Sequence, residues 1–265
     1  MVSAESICFV YSATGPRFVD EALASAKSVK DVMPDVQRIL YTDAEQSLRR
    51  DLDFVFNCVR TISDPDFGYR DKIRPLIELE FDKVVFLDTD TYMLNEISDV
   101  FELLNVFDLA FCHAPIRYCP DYFVAGVSPA FAEPNTGVLA FRRSPGVVEL
   151  LKQWDQLYLK QMGGGSPPGH DQPSFREVVY KSEVKFCVLP CEYNLRTIFP
   201  YFKGRGLEAK ILHGRGSNLD RAITMLDGNM DFYVESMETL GVKRRIARVF
   251  SDLICIFKRG LFYGK

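Results

Sequence analysis

The sequence predicts an α/β protein with a mainly parallel central sheet and helices on both faces. Three observations predict it. Short apolar runs such as "ICFVYSA", "VQRILYT" and "KVVFLD" carry the near-continuous hydrophobicity of strands buried on both faces. Amphipathic segments of helical period alternate with them, as crossovers between parallel strands require. Across the 265 residues, no internal repeat and no break in composition marks a second folding unit.

The elements follow in order. Residues 7–15 read as a buried strand running into small residues, and Pro16 then opens a helix whose Phe18, Val19, Ala22, Ala26 and Val29 share one face. Residues 36–43 read as a second strand and "FVFNCV", residues 54–59, as a third. "RDKIRPLIELE" reads as a helix interrupted at Pro75, because proline lacks the donor that a helix interior needs. The strand "KVVFLD" is followed by a short helix at "ISDVFELL" and a strand at "FDLAFCHAP". Residues 113–137 are rich in Pro and Gly and have no period, which predicts a long irregular loop of the kind that serves a site. "VLAFRR" resumes as a strand, and Ser144 and Pro145 supply the cap and first residue of the next helix. Beyond the "GGGSPPG" linker come a helix at "DQPSFREVVYK" and short strands at "KFCVLP" and "AKILHG".

Composition excludes several classes. The chain is 47% hydrophobic and 26% charged with a net charge of −4, so no global basic field draws in nucleic acid. No apolar run approaches the roughly 20 residues of a membrane span. The first residues lack a basic region followed by a long apolar stretch, which predicts a cytoplasmic protein. Seven cysteines, an odd number without a CxxC, read as reduced structural thiols rather than as a zinc site. Residues 241–265 hold seven Lys or Arg against Asp252 alone, with Ile246, Val249, Phe250, Leu253, Ile254 and Phe257 as an apolar stripe. Two readings of that tail stay open: a last helix packed on the core, or a surface helix in peripheral contact with anionic membrane.

The chemistry centres on "LDTD". Side chains two apart on a strand share a face, so Asp88 and Asp90 can aim at one point. In open α/β sheets that point, past the carboxyl ends of the strands, is where ligands bind. Two converging carboxylates repel unless a cation joins them. Oxygen donors suit a hard divalent ion such as Mn2+ or Mg2+, which brings a diphosphate with it. A strand end with two solvated aspartates has the same sequence. Haloacid-dehalogenase phosphatases also place DxD after an apolar strand. Here Tyr92 stands where that family has Thr or Val, and the motif lies far from the N-terminus, although "LDGNMD" at 226–231 faintly resembles the late acidic motif of those enzymes.

Five segments in order, "FVYSATG", "KIRPLIELEFDKVVFLDTDTYML", "PNTGVLAFRR", "GHDQPSF" and "KILHGRG", together resemble glycosyltransferase family 8, the glycogenin and bacterial lipopolysaccharide galactosyltransferase group, over about residues 6–216. The resemblance implies the GT-A nucleotide-diphospho-sugar transferase fold for residues 1–240, with 241–265 as a basic amphipathic tail. It implies transfer of a hexose from a UDP-sugar to a glycan, glycolipid or protein hydroxyl, with Mn2+ or Mg2+ as cofactor and retention of configuration. By the same resemblance Asp88, Asp90 and His213 would hold the metal, Asp88 lying also near the ribose. Lys72 would neutralise the diphosphate. Tyr11, Ser12, Ala13 and Thr14 would form the loop on which base and ribose rest. Asn135 and Thr136 would bind hydroxyls of the donor sugar, and Gly137 would let backbone and sugar approach closely. Asp171 would stand beside the anomeric carbon with Gln172 as its neighbour, though an aspartate there equally suits a helix N-cap. The family's lysine after the metal histidine is absent, and Arg215, rather than Arg221, takes its place. His170 has no counterpart among those roles. Two alternatives stay open: a haloacid-dehalogenase-like phosphatase, which would need neither Asn135 nor His213, and a non-catalytic nucleotide-sugar-binding protein on the same fold, which would not need an intact acidic set.

Overall fold

The computed structural model describes residues 5–114, 124–165, 167–197 and 208–227. In chain order the strands are β1 (Ile7–Ala13), β2 (Gln37–Thr42), β3 (Cys58–Thr61), β4 (Lys83–Leu87), β5 (Thr91–Met93), β6 (Leu109–His113), β7 (Pro134–Arg142), β8 (Phe186–Val188), β9 (Leu195–Arg196) and β10 (Ile211–His213). The helices are α1 (Pro16–Val32), α2 (Arg70–Glu78), α3 (Ser98–Leu103), α4 (Pro145–Met162), α5 (Gln172–Lys181) and α6 (Ser217–Asp227).

Seven strands form one sheet in the order β3-β2-β1-β4-β7-β6-β8. Its β1–β2, β2–β3, β1–β4 and β6–β8 pairs are parallel, as the apolar strand runs predict. β7 alone runs against both neighbours, β4 and β6. Strand alternation divides the core in two. Phe9, Leu40 and Val85 pack under α1 and α3, while Val10, Ile39, Phe86 and Phe141 pack under α2, α4 and α5. Trp154 of α4 is fully buried in that second layer. A second small sheet, β5-β10-β9, sits past the end of β4.

Four sequence expectations are corrected. The third strand is Cys58–Thr61 rather than 54–59. Residues Arg50–Phe54 form a 3-10 helix, and the Phe56 N–H bonds the Leu52 carbonyl at 2.9 Å. Leu52 and Phe56 are both buried at that helical spacing, whereas Phe54 is exposed. α2 runs through Pro75 without interruption. The carbonyl that Pro75 leaves without its helical donor is that of Asp71, and Ser12 Oγ donates to it at 2.6 Å. The irregular 113–137 stretch is shorter than expected, since residues 134–137 already belong to β7. Finally, residues 88–90 are a turn between β4 and β5, so Asp88 and Asp90 converge through that turn and not by strand alternation.

Ser144 caps α4 as expected, its side chain accepting from the Val147 N–H at 3.3 Å with Pro145 at the first position. Cys8, Cys58, Cys112, Cys187 and Cys191 are free thiols. No described helix is long and apolar enough to cross a membrane. The 241–265 tail, its boundary at 240 and "LDGNMD" beyond Asp227 lie outside the described residues.

Candidate active site

A cavity of about 540 Å³ opens at the carboxyl ends of β1 and β4. Its wall includes Ser12 and Ala13 from β1 with Thr14 just after it, Asp88 and Asp90 from the turn after β4, and Asn135 and Thr136 from β7. Lys72, Asp171, Gln172, His213 and Arg215, also singled out by the sequence, line it as well. The antiparallel direction of β7 explains the convergence. It delivers the start of β7 to the same rim as the end of β4, and the Asp88 N–H bonds the Gly137 carbonyl at 2.8 Å.

Asp88, Asp90 and His213 each offer a ligand atom, and these atoms lie within 4.8 Å of one another. His213 Nε2 is 3.3 Å from Asp90 Oδ1 and 3.8 Å from Asp88 Oδ2. Neighbouring ligands about 2.1 Å from an octahedral ion stand about 3 Å apart, so a small divalent ion fits with little adjustment. β10 pairs with β5 to bring His213 opposite Thr91, next to the aspartate turn. Asn194 Oδ1 accepts from His213 Nδ1 at 2.7 Å, which holds the ring with Nε2 toward the carboxylates. Arginines supply positive charge there: Arg196 Nη1 is 3.0 Å from Nε2 and Arg215 Nε is 3.7 Å from Asp90 Oδ2. Arg196 has to yield Nε2 for an ion to bind there. Burial disfavours the Asp90 carboxylate, yet hydrogen bonding and charge from His213, with Arg215 and Arg196 behind, hold its pKa well below the ordinary value. Asp88 is pushed the other way, chiefly by burial, with Lys72 and His213 offsetting part of the rise.

Lys72 joins Asp88 to Asp171. Its Nζ lies 3.0 Å from Asp171 Oδ2, 3.1 Å from Thr136 Oγ1 and 3.3 Å from Asp88 Oδ1. The side chain is 8% exposed. Burial works against its charge, but Asp171 and Asp88 together hold its pKa above that of an ordinary lysine. Asp171 occupies the N-cap position of α5, yet its side chain makes no cap bond. Its carbonyl takes Ser174 Oγ at 2.7 Å and the Phe175 N–H at 3.2 Å, leaving the carboxylate to Lys72. Gln172 Nε2 donates to the buried Glu133 at 2.8 Å.

Two expected residues are placed differently. Tyr11 is absent from the cavity wall: it is fully buried, and its hydroxyl bonds Ser25 at 3.1 Å. It alternates with Ser12 inside β1, so the two face opposite sides of the sheet. Gly137 likewise does not line the cavity. A Cβ there would lie 2.1 Å from His213 Cε1 and 2.8 Å from Asp88 Oδ2, so its missing side chain makes room for those two. Asn135 Oδ1 is engaged twice, by the Gly137 N–H and by Asn194 Nδ2, each at 2.9 Å. A relay therefore runs from β7 through Asn194 to the imidazole.

Sequence reasoning missed Asn194 and Arg196, which sit in the two residues flanking Leu195 beside β10, and no spacing signal marks them. It also missed Glu21, which accepts from Thr89 Oγ1 at 2.9 Å and from Arg215 Nε at 3.1 Å. Phe18, Phe67 and Tyr69 add aromatic surface at the wall. Phe18, which the sequence puts on the apolar face of the first helix with Val19, is instead exposed at the cavity.

No protein-family model matches the sequence, and no curated protein sequence matches it. Solved structures do match. GlyE, a glycosyltransferase of Streptococcus pneumoniae TIGR4, gives a TM-score of 0.55 at 18% identity, over 79% of this chain and 55% of GlyE. The chain has the GT-A glycosyltransferase fold. Mouse xyloside xylosyltransferase 1 in its apo form gives 0.53 at 15% identity, covering 80% of this chain and 98% of its own. The galactosyltransferase LgtC, solved with donor and acceptor sugar analogues, gives 0.55 at 15% identity, covering 87% of this chain and 99% of its own. At such identities the likeness carries the GT-A architecture alone. The Asp88–Asp90–His213 group is this chain's own observation beside it.

Proposed function

We propose that this protein is a metal-dependent glycosyltransferase of the family 8 type, moving a hexose from a UDP-sugar to an acceptor hydroxyl with retention of configuration. The observation that carries the reading is the meeting of Asp88, Asp90 and His213 within 4.8 Å at the rim of a GT-A sheet, with Lys72 tying Asp88 to Asp171. Mn2+ or Mg2+, when held by those three side chains, supplies Lewis-acid stabilisation of the departing diphosphate.

The remaining work falls to the chain. Residues 12–14 support the nucleoside at the end of β1, and Asp88 also reaches its ribose. Arg215, half-exposed and paired with Glu21 through Nε, keeps its other guanidinium donors for phosphate oxygens. Lys72 is fixed among partners before substrate arrives, so its charge acts on the diphosphate without reorganisation. Asn135 and Thr136 stand at the donor sugar, Asn135 by groups other than its doubly engaged Oδ1. Asp171 faces the positive charge that develops at the anomeric carbon, and Gln172, steadied by Glu133, stands beside it. The acceptor, a glycan, glycolipid or protein hydroxyl, attacks on the face that the leaving group vacates.

Calorimetric titration of UDP with and without Mn2+ tests the reading. Asp90→Ala is expected to abolish the metal-dependent part of the affinity, because one of three protein ligands is lost. Equal affinity in the variant and the parent, with metal present, would remove the metal role.

A further inference from the structure

His170 is a cavity residue that the proposed reaction leaves unused. It precedes Asp171 at the entry to α5, and its ring forms part of the cavity wall. Its Nδ1 is sealed from solvent and meets no hydrogen-bond partner. No hydrogen bond or ion pair to the described residues involves its Nε2 either. Both neighbours in the chain are engaged, Asp171 by Lys72 and Gln172 by Glu133. A buried ring nitrogen without a partner costs stability, and an apolar group at the same place would not. Such a residue makes physical sense where a ligand supplies the missing partner.

The surroundings say which kind of ligand group. Cations that suit phosphate, Arg215 and Arg196, cluster at Asp90 and His213, and Lys72 stands between that cluster and Asp171. On the Asp171 side of Lys72 the local charge is a carboxylate, which repels a phosphate. A neutral hydroxyl fits there. It both donates and accepts, so it satisfies the imidazole whichever tautomer the ring holds.

We propose that His170 binds a hydroxyl of the transferred hexose and thereby contributes to the choice of donor sugar. The inference rests on the UDP-hexose reading above, and its test separates the two. UDP, UDP-glucose and UDP-galactose are titrated by calorimetry, with Mn2+, into the full chain and into His170→Ala. The variant is expected to bind UDP as the parent does and to bind the preferred UDP-hexose roughly threefold to tenfold more weakly, the worth of one neutral hydrogen bond. His170→Gln, which keeps one donor and one acceptor, is expected to recover part of that loss. Its melting temperature and that of His170→Ala are expected to match or exceed the parent's, since no bonded partner is stranded by the change. Equal weakening for UDP and UDP-hexose, or no change for either, overturns the assignment of His170 while leaving the proposed function standing. A parent protein that binds neither UDP nor a UDP-hexose with Mn2+ overturns the proposed function, and this inference with it.

Discussion

Gly137→Ala is the sharpest perturbation of the metal group, because it adds one methyl and nothing else. The φ of Gly137 lies outside the left-handed region, so the backbone accepts an L-residue without strain. The cost is therefore steric. The new Cβ starts 2.1 Å from His213 Cε1, and the imidazole has to retreat by about 1.3 Å to reach ordinary contact at 3.4 Å. Asp88 Oδ2, at 2.8 Å, has to move as well. Retreat is resisted on the far side, since Asn194 grips Nδ1 and β10 is paired with both β5 and β9. Overpacking of this kind costs about 1–3 kcal/mol, a fall of several degrees in melting temperature for a chain of this size. Displacing two ligands together is expected to weaken Mn2+ on the order of 10- to 100-fold. Free Mn2+ is read by electron paramagnetic resonance, and stability by thermal melting. Gly146→Ala serves as a control, because its Cβ would meet nothing closer than 3.7 Å. If Gly137→Ala bound Mn2+ like the parent and melted with it, the close packing of His213 and Asp88 against β7 would have no functional meaning.

Two further substitutions probe the supports and the chemistry. Asn194→Ala strips the acceptor from His213 Nδ1 and is expected to weaken Mn2+ about 10- to 100-fold, with Asn194→Asp recovering most of it; equal affinities in all three proteins would dismiss the relay. Asp171→Asn keeps volume but removes the charge facing Lys72. It is expected to leave UDP-hexose binding near normal and to lower turnover at least about 100-fold, measured as UDP release. Its melting temperature is expected to fall, because the buried Lys72 loses one of its two carboxylate partners, so turnover is compared per folded molecule; turnover per folded molecule equal to the parent's would return Asp171 to a structural part.

The fold class and most polar groups of the cavity wall are legible in the amino-acid sequence. Apolar runs of strand length, helix starts at Pro16 and at Ser144 with Pro145, and the acidic pair after "VVFL" are local signals, written within a few residues of one another. Asp88, Asp90, Lys72, Asp171, His213 and Arg215 all reach one cavity. How they meet depends on pairings between distant strands. The reversal of β7 brings residues 135–137 to the end of β4, and the small β5-β10-β9 sheet brings His213 to the aspartate turn. Neither pairing has a local signature, because strand partners are chosen by packing between segments distant in the chain. The same reason hid the place of Gly137, which makes room for His213 and Asp88, and of Tyr11, which packs toward α1. It also hid Asn194, whose amide is informative only once an imidazole stands 2.7 Å away. Residue types carry the chemistry a chain can perform, and the register of its strands decides which of those residues share a point in space.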